Sequence, residues 1–201
     1  GDKNSFDFKP DGTKLYAVTF SYSDDAVYEY DLSTAWDLST ATYNQSLSIV
    51  GEGQGPNGIR FKPDGLKMFI SESSHDVIDE WTLTTAWDIS TASHSQDFSV
   101  RNQTDTPTGL FFKPDGKQVF VGDGKGEAML TFFLSTAWDI STASYTYPDT
   151  DVFSVTNQEA NPYGLTFGND GHKLYVVGTT GEDVNEYDLP LAWDITSATF
   201  N

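Results

Sequence analysis

Leu32-Ser-Thr-Ala-Trp-Asp-Leu-Ser-Thr-Ala41 decides the reading of this chain, because close copies of it return at residues 83–92, 134–143 and 189–198. A second motif keeps the same phase. Phe8-Lys-Pro-Asp-Gly12 recurs at 61–65 and 112–116, and in weaker form as Phe167-Gly-Asn-Asp-Gly171. The glycine of this motif falls at 12, 65, 116 and 171, in steps of 53, 51 and 55, while the tryptophan of the first falls at 36, 87, 138 and 193, in steps of 51, 51 and 55. The length changes fall in polar stretches near 22–25 and 147–152. A period near 50 with insertions kept to polar stretches is the pattern of a propeller or related array.

Each unit reads as four strands, A to D. Strand A covers 5–8, 58–61, 109–112 and 164–167, and ends at Pro-Asp-Gly or its equivalent. Proline presets φ, aspartate bonds back to the backbone and glycine takes φ > 0, so this is a tight turn. Strand B follows at 15–19, 68–71, 119–122 and 174–178, and strand C at 27–32, 77–83, 128–134 and 183–189. The Ala-Trp-Asp corner leads to strand D at about 41–50, 92–100 and 143–155, and a Pro-x-Gly loop closes each unit. Three aromatic columns stay in register: Phe8, Phe61, Phe112 and Phe167; Tyr16, Phe69, Phe120 and Tyr175; Tyr30, Trp81, Phe132 and Tyr187. No segment has a helical period. The expected fold is an all-β β-propeller with four blades of four antiparallel strands, forming one domain over 1–201 with units of about 1–53, 54–104, 105–159 and 160–201.

The hairpins Pro10-Asp-Gly-Thr-Lys-Leu-Tyr-Ala-Val18 and Asp170-Gly-His-Lys-Leu-Tyr-Val-Val177 resemble those of the YVTN/lactonase-like group of β-propellers. The Leu-Ser-Thr-Ala-Trp-Asp-Ile-Ser-Thr-Ala repeat is similar to one in uncharacterised marine phage and metagenomic proteins. The resemblance spans essentially the whole chain and implies the fold. It transfers no catalytic site, because no residue here matches the metal ligands of lactonase or arylesterase propellers. The fourth unit stops at the start of strand D, so residues 45–53 have no counterpart in it. That implies either a piece of a longer array or an outer edge covered by another chain. A closed four-bladed monomer is the expected state, with two chains joined as an eight-bladed ring the runner-up.

Thirty acidic residues against eleven basic ones give a formal charge of −19, and residues 126–201 hold Lys173 as their one Lys or Arg against eleven acids. Such a surface repels phosphate backbones and anionic lipid, which argues against nucleic-acid and membrane-surface partners. There is no cysteine, so disulfides and thiolate metal sites are excluded and the compartment stays open. An extracellular or virion-associated setting is the expectation. No apolar run approaches the ~18 residues of a membrane span.

In a propeller, A–B and C–D loops share one face, and B–C loops and D–A crossings share the other. The first set barely changes between units here; the second differs in every unit. Loops that vary on a fixed scaffold are where binding resides. The candidate ligand residues are therefore Asp24, Asp25, Glu72, His75, Arg101, Asn102, Asp123, Lys125, Gln158, Glu159, Tyr163 and Asp183. Trp36, Trp87, Trp138 and Trp193 read either as sugar-stacking platforms or as plugs of each blade's outer corner, with Asp37, Asp88, Asp139 and Asp194 capping the turn. Their invariance across units favours the structural reading. Glu29, Glu80 and Glu186 recur in strand C, with Thr131 breaking the set; hydrogen bonding between blades is expected of them.

No cofactor is expected. Ca²⁺ is the ion that Asp24-Asp25, Asp149 with Asp151, or Glu182-Asp183 would take, but none has a calcium-loop spacing, and a solvated acidic face is the ordinary outcome. His75-Asp76 is the most catalytic-looking pair, yet no nucleophile or second base lies nearby in sequence. Two functions follow. The first is a non-enzymatic binding or structural module, in an adhesion or receptor-binding role towards a glycan or protein surface. The alternative is a lactonase- or hydrolase-type enzyme with a metal at the channel mouth.

Overall fold

Pro-Asp-Gly does what its residue types dictate. In the first unit Gly12 N donates to Lys9 O at 2.8 Å and Asp11 Oδ1 accepts from Thr13 N at 3.0 Å. Gly12, Gly65, Gly116 and Gly171 sit at φ 72–76°, the left-handed region that glycine enters without a Cβ penalty. A computed structural model describes residues 2–20, 25–51, 55–146, 151–168 and 170–201. Each turn joins the two innermost strands of a four-stranded antiparallel blade, and the fold is an all-β β-propeller of four such blades.

The first blade runs β1 (Asp2–Phe8), β2 (Lys14–Phe20), β3 (Ala26–Leu32) and β4 (Ala41–Ser48) in that spatial order. The second runs β5 (Pro56–Phe61), β6 (Lys67–Glu72), β7 (Val77–Leu83) and β8 (Ala92–Ser99). In the third, β9 (Pro107–Phe112), β10 (Gln118–Asp123) and β11 (Ala128–Leu134) are followed by an outer strand in two pieces, β12 (Ala143–Ser144) and β13 (Val152–Ser154), both paired with β11. The fourth holds β14 (Pro162–Phe167), β15 (Lys173–Gly178), β16 (Val184–Asp188) and β17 (Thr199–Phe200).

Three details depart from the sequence expectation. Pro56, Pro107 and Pro162 open their strands instead of lying in the crossings; the first strand position tolerates a residue without an N–H. The outer strand of the third blade comes in two pieces, with Tyr145, Thr146 and Asp151 outside either. And a three-residue 3-10 helix follows each corner tryptophan (Leu38–Thr40, Ile89–Thr91, Ile140–Thr142 and Ile195–Ser197), too short to show a period. Its N-cap is the aspartate, as expected: Asp88 Oδ1 accepts from Ser90 N at 3.1 Å and from Ser90 Oγ at 2.7 Å.

The chain groups into two compact units, Gly1–Phe98 and Ser99–Asn201, each holding two blades and a core between them. In the first, Tyr16, Val18, Val27 and Ile49 pack on Ile59, Phe61, Met68, Ile70 and Trp81. In the second, Phe120, Met129 and Val155 pack on Leu165, Phe167, Leu174, Val176 and Tyr187. The ring geometry repeats. Tyr16 lies 4.4 Å from Phe61 and Phe120 lies 4.4 Å from Phe167. Middle strands such as β6 and β10 are buried at nearly every residue, because both faces of the blade are covered.

The two sequence motifs meet inside every blade. Trp87 N donates to Gly65 O at 3.0 Å, and the indole lies so close over the glycine that a Cβ there would sit 2.4 Å from Trp87 Nε1. The phenylalanine that ends strand A completes the contact: Phe8–Trp36, Phe61–Trp87, Phe112–Trp138 and Phe167–Trp193 centroids are 5.2, 5.3, 5.0 and 5.3 Å apart. To reach the glycine each tryptophan adopts φ of 60–66°, a conformation that bulky residues avoid. These rings cap the turn at the margin of the core, against which Trp87 and Trp193 pack. Trp36 is 58% exposed and the other three are half-buried.

The clasp makes a testable claim. Gly65→Ala is expected to destabilise by about 2–4 kcal/mol, the sum of left-handed strain and overpacking. Trp87→Ala, which removes a half-buried ring, should cost about 2 kcal/mol. Once Trp87 is gone, Gly65→Ala should cost only about 1–2 kcal/mol, from backbone strain alone. Urea unfolding of both single variants and the double variant reads the coupling, and strictly additive changes would show that the ring does not rest on the glycine.

Candidate functional site

The two loop families segregate within each unit. The B–C loops bond to the D–A crossings: Ser73 N donates to Gly55 O at 3.1 Å, Gly124 N to Thr106 O at 3.0 Å and Thr179 N to Asn161 O at 3.2 Å. At each of these joints a buried carboxylate holds backbone N–H groups, so Asp25, Glu72, Asp123 and Glu159, proposed as ligand contacts, are turned inward.

In the unit Gly1–Phe98, Asp25 Oδ2 accepts from Gly55 N at 3.0 Å. Glu72, fully buried, accepts from Ser74 N at 3.1 Å and His75 N at 3.0 Å, and its Oε1 lies 3.1 Å from His75 Nδ1. Burial pushes the Glu72 carboxyl above its ordinary value, against the opposing pull of His75 and the two backbone N–H groups. His75, noted in the sequence beside Asp76, thus also has Glu72 as a partner. Asp76 is buried in a turn at φ 59°, while His75 is exposed. Asp24 lies outside the described residues.

In the unit Ser99–Asn201, Asp123 Oδ1 accepts from Thr104 Oγ1 at 2.8 Å and Gly126 N at 2.9 Å. Glu159 is also fully buried and holds three N–H groups, those of Asn161 (2.8 Å), Thr180 (3.0 Å) and Gly181 (3.0 Å). Burial opposes ionisation of Glu159, but these donors outweigh it and its pKa lies below the ordinary value. Asp183 is exposed and accepts from Asn185 Nδ2 at 3.0 Å; Gln158 is half-buried, with its N–H bonded to Val155 O. Arg101, Asn102, Lys125 and Tyr163 are exposed, and Lys125 Nζ reaches Asp105 at 3.2 Å. These four, with Asp183 here and His75 in the other unit, are the predicted residues that the structure presents outward.

The strand C glutamates have partners that inspection of the acids alone missed. Lys14, Lys67 and Lys173 hold one repeat position in strand B, paired with Glu29, Glu80 and Glu186 respectively. Lys14 also bonds Asp31 and Lys173 bonds Asp188, both at 2.6 Å. Burial disfavours the Lys14 ammonium, but the two carboxylates prevail and raise its pKa. Glu29 accepts in addition from Asn44 and Gln45 at 2.9 Å each, and Gln45 bridges to Asp88 of the next blade at 3.0 Å. Glu29 also accepts from Ile89 N of the next blade at 3.5 Å, the contact between blades expected of it, beside these partners within its own blade. Aligning the units would have exposed the lysines, since Gln118 replaces lysine where Thr131 replaces glutamate.

Among the described residues no three His, Asp or Glu side chains converge as a metal site. Of the Ca²⁺ candidates, Asp24 and Asp149 lie outside the described residues, and Asp25 and Asp151 are engaged with backbone N–H groups.

No protein-family model matches the sequence, and no curated relative matches it either. Solved structures do. The chain is similar to a functionally unknown protein from Desulfotomaculum acetoxidans (16% identity, TM-score 0.63), covering 100% of this chain and 55% of that one. It is also similar to a periplasmic gluconolactonase from Pseudomonas aeruginosa (14%, TM-score 0.60, covering 100% and 56%). A putative 6-phosphogluconolactonase from Bacteroides uniformis gives 15% and 0.61, covering 99% and 70%. The chain spans about half the length of the first two, and at these identities the likeness is one of fold.

The Glu159 joint yields a pH signature. Because its pKa is depressed, its stabilisation is complete above the unfolded carboxylate value of about 4.3 and is lost as pH falls through the lower folded value. Glu159→Gln should cost about 2 kcal/mol at pH 7. The gap from wild type should hold down to about pH 5 and shrink below it. Urea midpoints from pH 7 to 3 measure this, and a gap that widened on acidification would contradict it.

Proposed function

We propose that this chain is a non-catalytic binding module of lactonase-like propeller architecture, whose ligand surface is made by B–C loops and D–A crossings. One observation carries the reading: buried carboxylates pin these variable loops in place, as Glu159 and Asp123 do in Ser99–Asn201 and Glu72 does in Gly1–Phe98. Loops fixed before the ligand arrives lose little entropy on binding, which favours a recognition surface. Arg101, Asn102, Lys125, Tyr163 and Asp183 supply hydrogen-bond donors, acceptors and one aromatic face in the second unit. A neutral glycan or a protein surface suits this set, given the acidic balance of the chain. Receptor binding or adhesion is the corresponding role.

The runner-up is a hydrolase acting on a lactone or related ester. Its support is the similarity of fold to the Pseudomonas gluconolactonase and the putative Bacteroides 6-phosphogluconolactonase. His75 would be its base, with Glu72 orienting the ring.

A glycan array probed with wild type, Tyr163→Ala and Arg101→Ala, run beside an assay of lactone and ester hydrolysis, separates the two. Binding that falls about ten-fold or more in both variants, without turnover, is expected. Turnover by wild type that is lost in His75→Ala would establish the hydrolase instead.

A further inference from the structure

The third blade departs from the others at one cluster. In the first blade β2 and β3 align Lys14 with Asp31 and Tyr16 with Glu29; in the third, the same register in β10 and β11 aligns Gln118 with Phe133 and Phe120 with Thr131. The lysine and the glutamate that the other three blades keep are thus both replaced, and the second acid of the first and fourth blades is absent as well. The outer strand changes with them. Between β12 and β13 the chain brings Asp151 opposite Thr131, whose N–H donates to Asp151 O at 2.8 Å. Asp151 is 3% exposed, and one carboxylate oxygen accepts from Thr146 N at 2.8 Å.

The replacement leaves a cavity of about 490 Å³, with walls from Gln118, Thr131, Phe133 and Asp151 and, on the corner of the fourth blade, Trp193 and Asp194. That volume is of the size small-molecule sites have, far above what one water needs. Thr131 is 3% exposed, and its Oγ1 has no hydrogen-bond partner among the described residues. A buried hydroxyl without a partner is costly, and a bound polar group would remove the cost.

Comparison of the blades identifies the missing group. In the first blade this place holds the Lys14 ammonium between two carboxylates, with Asp88 of the next corner joined through Gln45. In the third blade carboxylates remain, Asp151 and the equivalent corner residue Asp194, but among the described residues no wall residue is basic. We propose that the cavity binds a small organic primary ammonium, whose charged head takes the place of the absent lysine. Its apolar body lies against Phe133 and Trp193, whose rings also attract a cation. The site is distant in the blade from the B–C loops and does not depend on the loop-face reading.

The test titrates the intact 201-residue chain at pH 7 with n-pentylammonium, following the Trp193 indole and Thr131 amide NMR signals. Saturable shifts are expected, with 1-pentanol binding at least about ten-fold more weakly. Gln118→Lys with Thr131→Glu rebuilds the ion pair of the first two blades and should abolish the shifts. Asp151→Asn keeps the size of the side chain and should weaken binding about five-fold or more, with circular dichroism confirming a native fold. Three results would overturn the proposal: pentanol binding as tightly as the ammonium, binding undiminished in a folded variant, or no shift at either signal up to about 10 mM ligand.

Discussion

A tryptophan lying on a glycine holds the corner of every blade. The glycine must lack a side chain for two reasons that coincide: its φ is 72–76°, and the space where Cβ would project is filled by indole. The tryptophan in turn accepts a left-handed backbone at φ 60–66° to lay its ring there. Strain of this kind persists only where the surroundings over-determine it. Here they do. The tryptophan N–H bonds the glycine carbonyl, the following aspartate caps the 3-10 turn, and the strand A phenylalanine packs on the ring. The clasp ties the inner hairpin of a blade to the entry of its outer strand. In the first unit it also receives the neighbouring blade, since Tyr16 Oη donates to Trp87 O at 2.6 Å.

The propeller was legible in the sequence because its two motifs keep a constant phase, and that constancy is the trace of the contact between them. The strand ends were less legible. Proline looked like a loop residue at 56, 107 and 162, but at the first strand position its missing N–H costs nothing. The lysine partners of Glu29 and Glu80 were not read, since each pair spans a hairpin and lies 13–15 residues apart in sequence. The loop acids show the deeper limit. Their presence on variable loops was plain, but not their direction. In loops crowded with glycine and backbone N–H groups, a carboxylate lowers its energy by turning inward to accept those donors. Glu159 and Asp123 do so, and His75 finds its partner three residues back at Glu72 because the chain turns at Asp76.

The contrast between blades carries more chemical information than any one of them. Where all units agree, the residues hold strands and corners in place. Where the third unit replaces together the lysine and glutamate that the other three share, with glutamine and threonine, an ion pair becomes a hollow. Loss of the lysine alone would have left the buried glutamate without its counter-ion, a costly arrangement in a protein interior. Concerted replacement avoids that state.

Because each clasp closes within its own blade, Gly12 on Trp36 and Gly65 on Trp87 alike, no corner borrows its keystone from elsewhere in the chain. A blade is therefore a self-fastening cassette. Duplication or loss of a stretch of about fifty residues, cut in phase, leaves every remaining clasp intact, so a lineage carrying this repeat can change its blade number by recombination without first redesigning a joint.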